Sequence, residues 1–412
     1  MREIFLVTIS GQDRKGLTSS LTGLLAGYGV NILDIGQAVI HRHLTLGMLL
    51  EIPEGASSEP ILKDLLFKAY ELNLNVRFRL VDEDRYAEWV QAQGKPRHIL
   101  TVLGRKINAD QLSRLARLVA DNDLNIDIIS RLSGRAPLSD SEKPERACVE
   151  ISLRGEPADM TGLRQALMDV SHEMDVDIAF QEDNVFRRNR RLVALDMDST
   201  LIQTEVIDEL AARCGAGEEV RAVTEAAMRG ELDFTESLSR RVAKLKGLDE
   251  SVMREVAENL PLTEGAERLI ANLKRVGYKI AIISGGFTYF GQVLQRRLGV
   301  DYLFANELEI KDGKLTGKIH GQVVDAERKA QVLRELTEQE GLSLQQIIAV
   351  GDGANDLPMI ALAGLGIAFH AKPKVKQGAK QSISTLGLDS ILYLLGMRDR
   401  DTVAAEDAGV VM

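Results

Sequence analysis

Four short clusters in this chain hold the residue types that phosphate and divalent-metal chemistry require. Asp196-Met197-Asp198-Ser199-Thr200 places two carboxylates one residue apart with hydroxyls behind them. Ser284-Gly285-Gly286 sets a hydroxyl beside backbone N–H groups that no side chain screens, Lys329 stands alone, and Gly351-Asp352-Gly353-Ala354-Asn355-Asp356 brings further carboxylates between glycines. Carboxylates are hard oxygen ligands of the kind Mg²⁺ prefers, and a hydroxyl with open N–H groups suits a phosphate. Each cluster alone has a plainer explanation, since Asp, Ser and Thr after a strand also cap the next helix. A lysine in a first helical turn opposes the helix dipole, a hint that Lys329 answers an anion elsewhere.

Three of the clusters follow apolar runs. Leu192–Leu195, Lys279–Ile283 and Ile347–Val350 are short enough to be buried strands of a parallel sheet. Ligands of open α/β sheets gather beyond the carboxyl ends of the strands, which puts Asp196 and Asp198 at the mouth of such a crevice. Residues 203–260 read as charged helices, too long for a crossover, and are expected to form a cap over the site. Further on come a helix over 264–276, a hairpin region over 308–324, and a long helix opening near Lys329 with Val332, Leu333 and Leu336 inward.

The preceding half repeats one order of elements. Strand-like Ile4–Ile9, a helix with Leu17, Leu21, Leu24, Leu25 and Tyr28 on one face, strands over 30–40 and 44–52, a helix over 61–72 and a strand over 76–81 make a βαββαβ unit. After a polar stretch over 82–95 the order recurs, from Ile99 to Phe180, with a longer Pro-, Ser- and Asp-containing loop over 133–145 that is expected to be mobile. His41 and His43 flank the first hairpin tip; two histidines without a third ligand make a poor metal site and read as surface residues.

Composition narrows the class. The chain has 412 residues, 45% hydrophobic and 27% charged, enough for several domains. A net charge of -10 argues against general nucleic-acid binding, and the lone basic run Arg187-Arg188-Asn189-Arg190-Arg191 reads as a solvated lead-in to the Leu192 strand. Two isolated cysteines, Cys148 and Cys214, fit a reducing compartment, and no leader or spanning segment is visible, so a cytoplasmic protein without membrane attachment is expected. The final segment, 397–412, is polar and aperiodic and is expected to be flexible.

The ordered set of strand-Asp-x-Asp-x-Thr, strand-Ser-Gly, a lone Lys and strand-Gly-Asp-Gly-x-Asn-Asp resembles the haloacid dehalogenase (HAD) superfamily over Leu192 to about Gly396. The resemblance implies a Rossmann-like parallel-sheet core with Asp196 as nucleophile and Asp198 as general acid and base. Ser284, Gly285 and Lys329 would hold the phosphate, and Mg²⁺ would rest on Asp196, Asp352 and the Asp198 main-chain carbonyl, with Asn355 and Asp356 in support. The stretch from Asp196 to Glu205, with Met228-Arg229-Gly230-Glu231-Leu232-Asp233-Phe234 and Ser239-Arg240-Arg241, is similar to superfamily members that hydrolyse O-phospho-L-serine in the last step of L-serine biosynthesis. That likeness implies that Glu205 meets the substrate ammonium, Arg241 its carboxylate, and that Met228 and Phe234 close the cap. Other small phosphorylated metabolites, or an amino-acid sensor with a residual catalytic half, are the alternatives.

The tandem βαββαβ units resemble ACT domains, ferredoxin-like modules that bind amino acids. In the first, Gly11 to Leu17 is similar to the ACT ligand loop, so Gly11, Asp13 and Gly16 are the expected effector residues; the second has Gly104 but no second glycine there. The expected layout is therefore an ACT-like domain over 1–84, another over 97–184, a phosphatase domain over 187–396 with its cap over about 203–262, and a tail over 397–412. A homodimer formed mainly through residues before Arg187 is expected, without nucleic acid or membrane as partner.

Overall fold

Inward and outward residues alternate along β1 (Ile4–Gln12) and β3 (His43–Glu51), so Val7, Ile9, Leu44, Leu46, Met48 and Leu50 face one core. In this computed structural model, which describes residues 3–135 and 146–403, the chain divides into the units Met1–Lys95 and Pro96–Met412. The first unit continues with α1 (Leu17–Gly27), β2 (Asn31–Ile40), α2 (Ser58–Glu71) and β4 (Leu74–Val81). Its antiparallel sheet runs β2-β3-β1-β4, and Leu17, Leu21 and Leu25 of α1 join Ile61, Leu65 and Ala69 of α2 on one side of it. Fully burying each such Leu or Ile contributes about 1.5–3 kcal/mol. His41 and His43 are exposed.

The polar stretch over 82–95 contains a helix, α3 (Glu83–Gln93), opened by Asp82, whose carboxylate accepts the Arg85 N–H at 2.8 Å. None of its residues is buried, so no apolar stripe marked it in the sequence.

The second unit begins with the same order: β5 (Arg97–Gly104), α4 (Ala109–Asp121), β6 (Asn125–Arg131), β7 (Ala147–Arg154), α5 (Met160–Met174) and β8 (Asp177–Glu182), with sheet order β6-β7-β5-β8. Both sheets slip register early in the second strand, between Ile32 and Asp34 and between Ile126 and Ile128. Residues 136–145 of the long loop lie outside the described residues.

The rest of this unit is organised on β9 (Leu192–Leu195), buried at the middle of a seven-stranded sheet. Four cap helices follow, α6 (Val206–Arg213), α7 (Gly217–Met228), α8 (Phe234–Ala243) and α9 (Glu250–Glu258). Then come α10 (Ala266–Arg275), β10 (Lys279–Phe287), α11 (Thr288–Leu298), the hairpin β11 (Tyr302–Lys311) and β12 (Lys314–His320), and α12 (Ala326–Gln339). The chain continues through β13 (Ile347–Gly351), α13 (Leu357–Leu362), β14 (Leu365–Phe369), α14 (Pro373–Gly378), β15 (Gln381–Ile383) and α15 (Ile391–Leu394). The order β12-β11-β10-β9-β13-β14-β15 is parallel except at the β11–β12 hairpin, and it places the ends of β9, β10 and β13 side by side.

The outer face of the β6-β7-β5-β8 sheet is covered by the end of this same unit: Leu103, Cys148 and Ala179 share a core with Leu386, Leu388, Ile391 and Leu395. The Gln381 side chain serves Phe180 as a strand neighbour would, accepting its N–H at 3.0 Å and donating to its carbonyl at 2.6 Å. Asp177 accepts the N–H groups of Ser384 and Thr385 at 2.7 and 2.8 Å.

Two sequence expectations fail here. The basic run is solvated only in part: Arg188 and Arg191 are exposed, but Arg187 is 1% exposed and pairs with Glu150, and Arg190 is 5% exposed and donates to the Gln345 carbonyl at 3.1 Å and to Gln181 at 3.2 Å. Burial first, then Arg187, pulls the Arg190 guanidinium down to about 10. The final segment is docked as far as Val403. Asp399 accepts the Gly134 N–H at 2.6 Å, a Tyr393 hydroxyl at 2.7 Å and Arg268 at 3.0 Å, and Val403 exchanges two hydrogen bonds with Asn272. Residues 404–412 lie outside the described residues.

Candidate active site

Asp196 ends β9, and its neighbour strands deliver Ser284 and Asp352, because parallel pairing aligns Leu195 with both Ile282 and Val350. After Asp196 the backbone makes a wide turn over Met197–Leu201, in which Ser199 takes φ 56. A left-handed backbone is costly for a residue with a side chain, by roughly 1–2 kcal/mol. Ser199 is held there by its N–H on the Thr204 carbonyl at 3.3 Å, and its hydroxyl donates to Glu205 at 2.9 Å.

The turn fixes both carboxylates. Asp196 accepts the Met197 N–H at 2.8 Å, and Asp198 accepts the Val206 N–H at 3.1 Å. Lys329, fully buried, reaches Asp196 at 2.9 Å and Asp356 at 2.7 Å. Burial alone would lower this ammonium, but Asp196 and Asp356 outweigh it and raise it. Thus the lysine hinted at by the sequence does answer anions, and it does so from the second turn side of α12, whose first residue is Ala326.

Asp352 accepts the Thr200 hydroxyl at 3.3 Å, and Asp356 accepts the Gly353 N–H at 3.0 Å. Asp196, Asp352 and Asp356 each offer an oxygen within 4.8 Å of the others. Burial, then Asp196 and Asp356, raises Asp352 to about 7; burial and Asp196 raise Asp356 to about 6 against the pull of Lys329. Such crowding is what a cation relieves: three hard oxygen donors face one buried ammonium, and the donor set fits Mg²⁺. Asp356 already spends one oxygen on Lys329 and the other on Gly353, whereas Asp352 has only the long Thr200 contact.

Opposite these groups, Ser284 is 1% exposed and its hydroxyl oxygen accepts the Gly286 N–H at 2.9 Å. Glycine at 286 permits a close approach, because a Cβ there would have to displace Asp198 Oδ2 and the Met197 methyl. Burial first, then Glu205 and Asp196, pushes Asp198 well above the usual carboxylate range. A carboxyl kept protonated beside a reacting centre can donate a proton. Asn355 lies in the same loop with its side-chain oxygen folded over Gly353.

The cap supplies the remaining expected residues. Phe234 opens α8 and stands over Gly285, where a Cβ would come 2.8 Å from its ring. Arg241 lies on the same helix, half-buried, and its Nε is buried without a partner among the described residues. Burial lowers its guanidinium, against Glu205, Asp208 and Asp198, which act to raise it. Glu205 is exposed as a residue, yet loss of hydration at its carboxyl raises it, with Asp196 and Asp208 adding to the effect and Ser199 and Arg241 opposing it. Met228 ends α7; its side chain lies outside the described residues.

One positioning residue escaped the sequence reading. Asn306, 1% exposed, donates to the Gly285 carbonyl at 2.8 Å and accepts the Val324 N–H at 2.8 Å, which pins the turn carrying Ser284. An Asn inside an apolar strand is unfavoured, and that was the available signal.

In the first unit, Gly16 caps α1 with φ 87 and nothing stands within 4 Å of a Cβ there. Asp13 donates its N–H to the Arg42 carbonyl at 2.8 Å. Gly11 has a packing reason for its small size: a Cβ would come 2.6 Å from Leu74.

Comparison with known proteins gives relatives for each domain and for the whole chain. Family models for ACT domains match residues 3–79 and 96–181, and a model for haloacid dehalogenase-like hydrolases matches residues 190–364. The chain is 42% identical to a phosphoserine phosphatase of Mycobacterium tuberculosis over 98% of its own length and 95% of that protein. It is 41% identical to a phosphoserine phosphatase of Streptomyces coelicolor over 97% of this chain and 94% of the relative. Among solved structures, a probable phosphoserine phosphatase from Vibrio cholerae in unliganded form superposes with a TM-score of 0.58 at 36% identity, covering 75% of this chain and 88% of the other.

Proposed function

We propose that this chain, which belongs to the phosphoserine phosphatase family of haloacid dehalogenase-like hydrolases, hydrolyses O-phospho-L-serine to L-serine and phosphate, the last step of L-serine biosynthesis. The observation that carries the substrate assignment is the pair of opposite charges on the cap side of the carboxylate centre, Glu205 and the incompletely partnered Arg241. A carboxylate suits an ammonium and a guanidinium suits a carboxylate, so the two read the two ends of an α-amino acid.

Asp196 is the nucleophile. Lys329 pairs with its carboxylate at 2.9 Å and fixes its position, and the attack on phosphorus gives an aspartyl-phosphate, dividing one difficult displacement into two. Ser284, Gly285 and Lys329 neutralise the spread charge of the phosphoryl oxygens as they move into the transition state. Asp198, whose burial and acidic neighbours favour its protonated form, donates to the leaving serine oxygen and then takes a proton from the water that hydrolyses the acyl phosphate. Asp196, Asp352 and the Asp198 main-chain carbonyl, with Asp356 and Asn355 in support, would hold Mg²⁺, which would supply the positive charge that lets two anions approach. Phe234, with Met228, closes the cap and excludes water.

The amino-acid effector is serine, held at Gly11, Asp13 and Gly16 of the first ACT domain. The working assembly is a homodimer built on residues before Arg187, in the cytoplasm. Among the described residues no helix is long and apolar enough to cross a membrane.

Phosphate release from O-phospho-L-serine, phosphoethanolamine and 4-nitrophenyl phosphate, each with Mg²⁺ and with chelator, tests the assignment. The amino-acid ester should be turned over far faster than both others, and only with metal. Equal turnover of all three would replace it with a general phosphatase for small metabolites.

A further inference from the structure

The outward face of the first unit's sheet carries a cavity that neither the catalytic site nor the Gly11–Gly16 loop uses. Directly paired residues lay a row across all four strands: Asp34 opposite Leu49, Leu49 opposite Leu6, and Leu6 opposite Arg79. Residues directly opposite in antiparallel strands share a face, so the row runs from a carboxylate through two leucines to a guanidinium.

Beside this row Gly36 faces Gly47 across the β2–β3 ladder. A Cβ on Gly36 would meet nothing within 4 Å, and one on Gly47 only the Gly36 carbonyl at 4.0 Å; neither backbone is left-handed. Glycine weakens a strand, and here neither packing nor backbone conformation calls for it, which leaves close approach of another molecule as its use. Helix α3 roofs the row without filling it. Tyr86 and Trp89, with ring centroids 5.9 Å apart, line a cavity of about 400 Å³, within the range of small-molecule sites.

The polar groups differ in availability. Asp34 already accepts the Ile35 N–H at 2.9 Å, and Arg85 is engaged by Asp82 at 3.3 Å. Arg79 makes no side-chain hydrogen bond or ion pair among the described residues. We propose that this cavity binds a small aromatic carboxylate, its flat body on Leu6 and Leu49 under Trp89 and its carboxylate on Arg79. Serine and phosphoserine have no apolar body to match the leucines and rings, so the occupant is neither substrate nor product.

Trp89 is the chain's one tryptophan, so intrinsic tryptophan fluorescence reports on this cavity alone. Titrating the full chain with 3-phenylpropionate should give a saturable change, and neutral 3-phenylpropan-1-ol should bind at least tenfold more weakly. Arg79→Gln should weaken the acid about tenfold and leave the alcohol unchanged. Gly47→Val, and independently Gly36→Val, should abolish the response to both while circular dichroism and phosphatase activity stay at wild-type levels. A response that does not saturate, that survives both valine variants, or that is equal for acid and alcohol overturns the proposal. So does a change of oligomeric state in either valine variant, which would make the face a contact between copies of the chain.

Discussion

Arg105, in the turn between β5 and α4, grips Glu264 with both terminal guanidinium nitrogens, Nη2 at 2.9 Å and Nη1 at 3.3 Å from the two carboxylate oxygens. The hydrogen bond from Arg105 holds Glu264 below its ordinary range, and Glu264 in turn raises Arg105. Glu264 follows directly on the place where the cap rejoins the core: Thr263 donates to the Leu201 carbonyl at 3.0 Å, and Leu262 bridges Ile202. In the second ACT domain, then, the turn between its first strand and first helix is tied to the cap junction. Both side chains are about half exposed, so the pair is worth at most about 1 kcal/mol. Arg105→Gln and Glu264→Gln should each raise KM for phosphoserine by roughly two- to fivefold, with the double variant no worse than either single one. Additive losses in the double variant would show that the two act separately.

Asp196→Asn should remove turnover and the covalent phosphoenzyme together, because an amide cannot form the acyl phosphate. Asp198→Asn should slow both half-reactions, roughly 10²- to 10⁴-fold, the usual share of general acid–base catalysis. Acid-quenched wild-type protein should carry labelled phosphate on Asp196 during turnover; its absence would rule out the covalent route.

Arg241→Ala should weaken use of phosphoserine far more than use of 4-nitrophenyl phosphate. A charge-assisted pair worth about 1.5–3 kcal/mol corresponds to roughly 10- to 150-fold in kcat/KM. Parallel losses on both substrates would move Arg241 from recognition to the phosphate or to the fold of the cap.

The catalytic frame was legible because short-range pattern and chemistry coincide there: β9, β10 and β13 are apolar runs that end in the very residues the sheet brings together. What stayed hidden depends on partners far away in sequence. Arg187 looks solvated until Glu150 is placed beside it, and the final segment looks aperiodic until Asp399 meets Gly134 and Arg268. Helix α3 has no fully buried residue and leaves little periodic trace. Asn306 works through two backbone groups that no motif encodes.

Metal binding should be strongly pH-dependent. With Asp352 at about 7 and Asp356 at about 6 before metal arrives, protons and Mg²⁺ compete for the same oxygens. Affinity should therefore rise with pH and fall steeply as pH drops through 7 to 6, with proton release measurable by calorimetry in buffers of different ionisation enthalpy. The sign for stability is opposite. A carboxyl raised in the folded state favours folding while protonated, so the metal-free protein should lose stability as pH rises from the unfolded value near 4 through 7. Saturating Mg²⁺ should flatten that loss; a melting temperature with no pH dependence in chelator would contradict the assignment of these carboxyls.

Serine should inhibit by two separable routes. Product competes at the catalytic centre, which raises apparent KM alone; serine at Gly11, Asp13 and Gly16 acts only if it binds an inactive arrangement better than the active one. A coupling of about 1–3 kcal/mol would give a several-fold to hundredfold change in activity. Asp13 is exposed, so Asp13→Asn should leave folding intact and weaken the second route. Gly16, at φ 87, pays a strain of roughly 1–2 kcal/mol when given a side chain, so Gly16→Ala is the stronger but less gentle companion. In the wild type the inhibition should have a noncompetitive part, and both variants should lose that part while keeping the competitive one. If all three proteins show the same purely competitive inhibition, the first ACT domain does not transmit serine binding to the catalytic site.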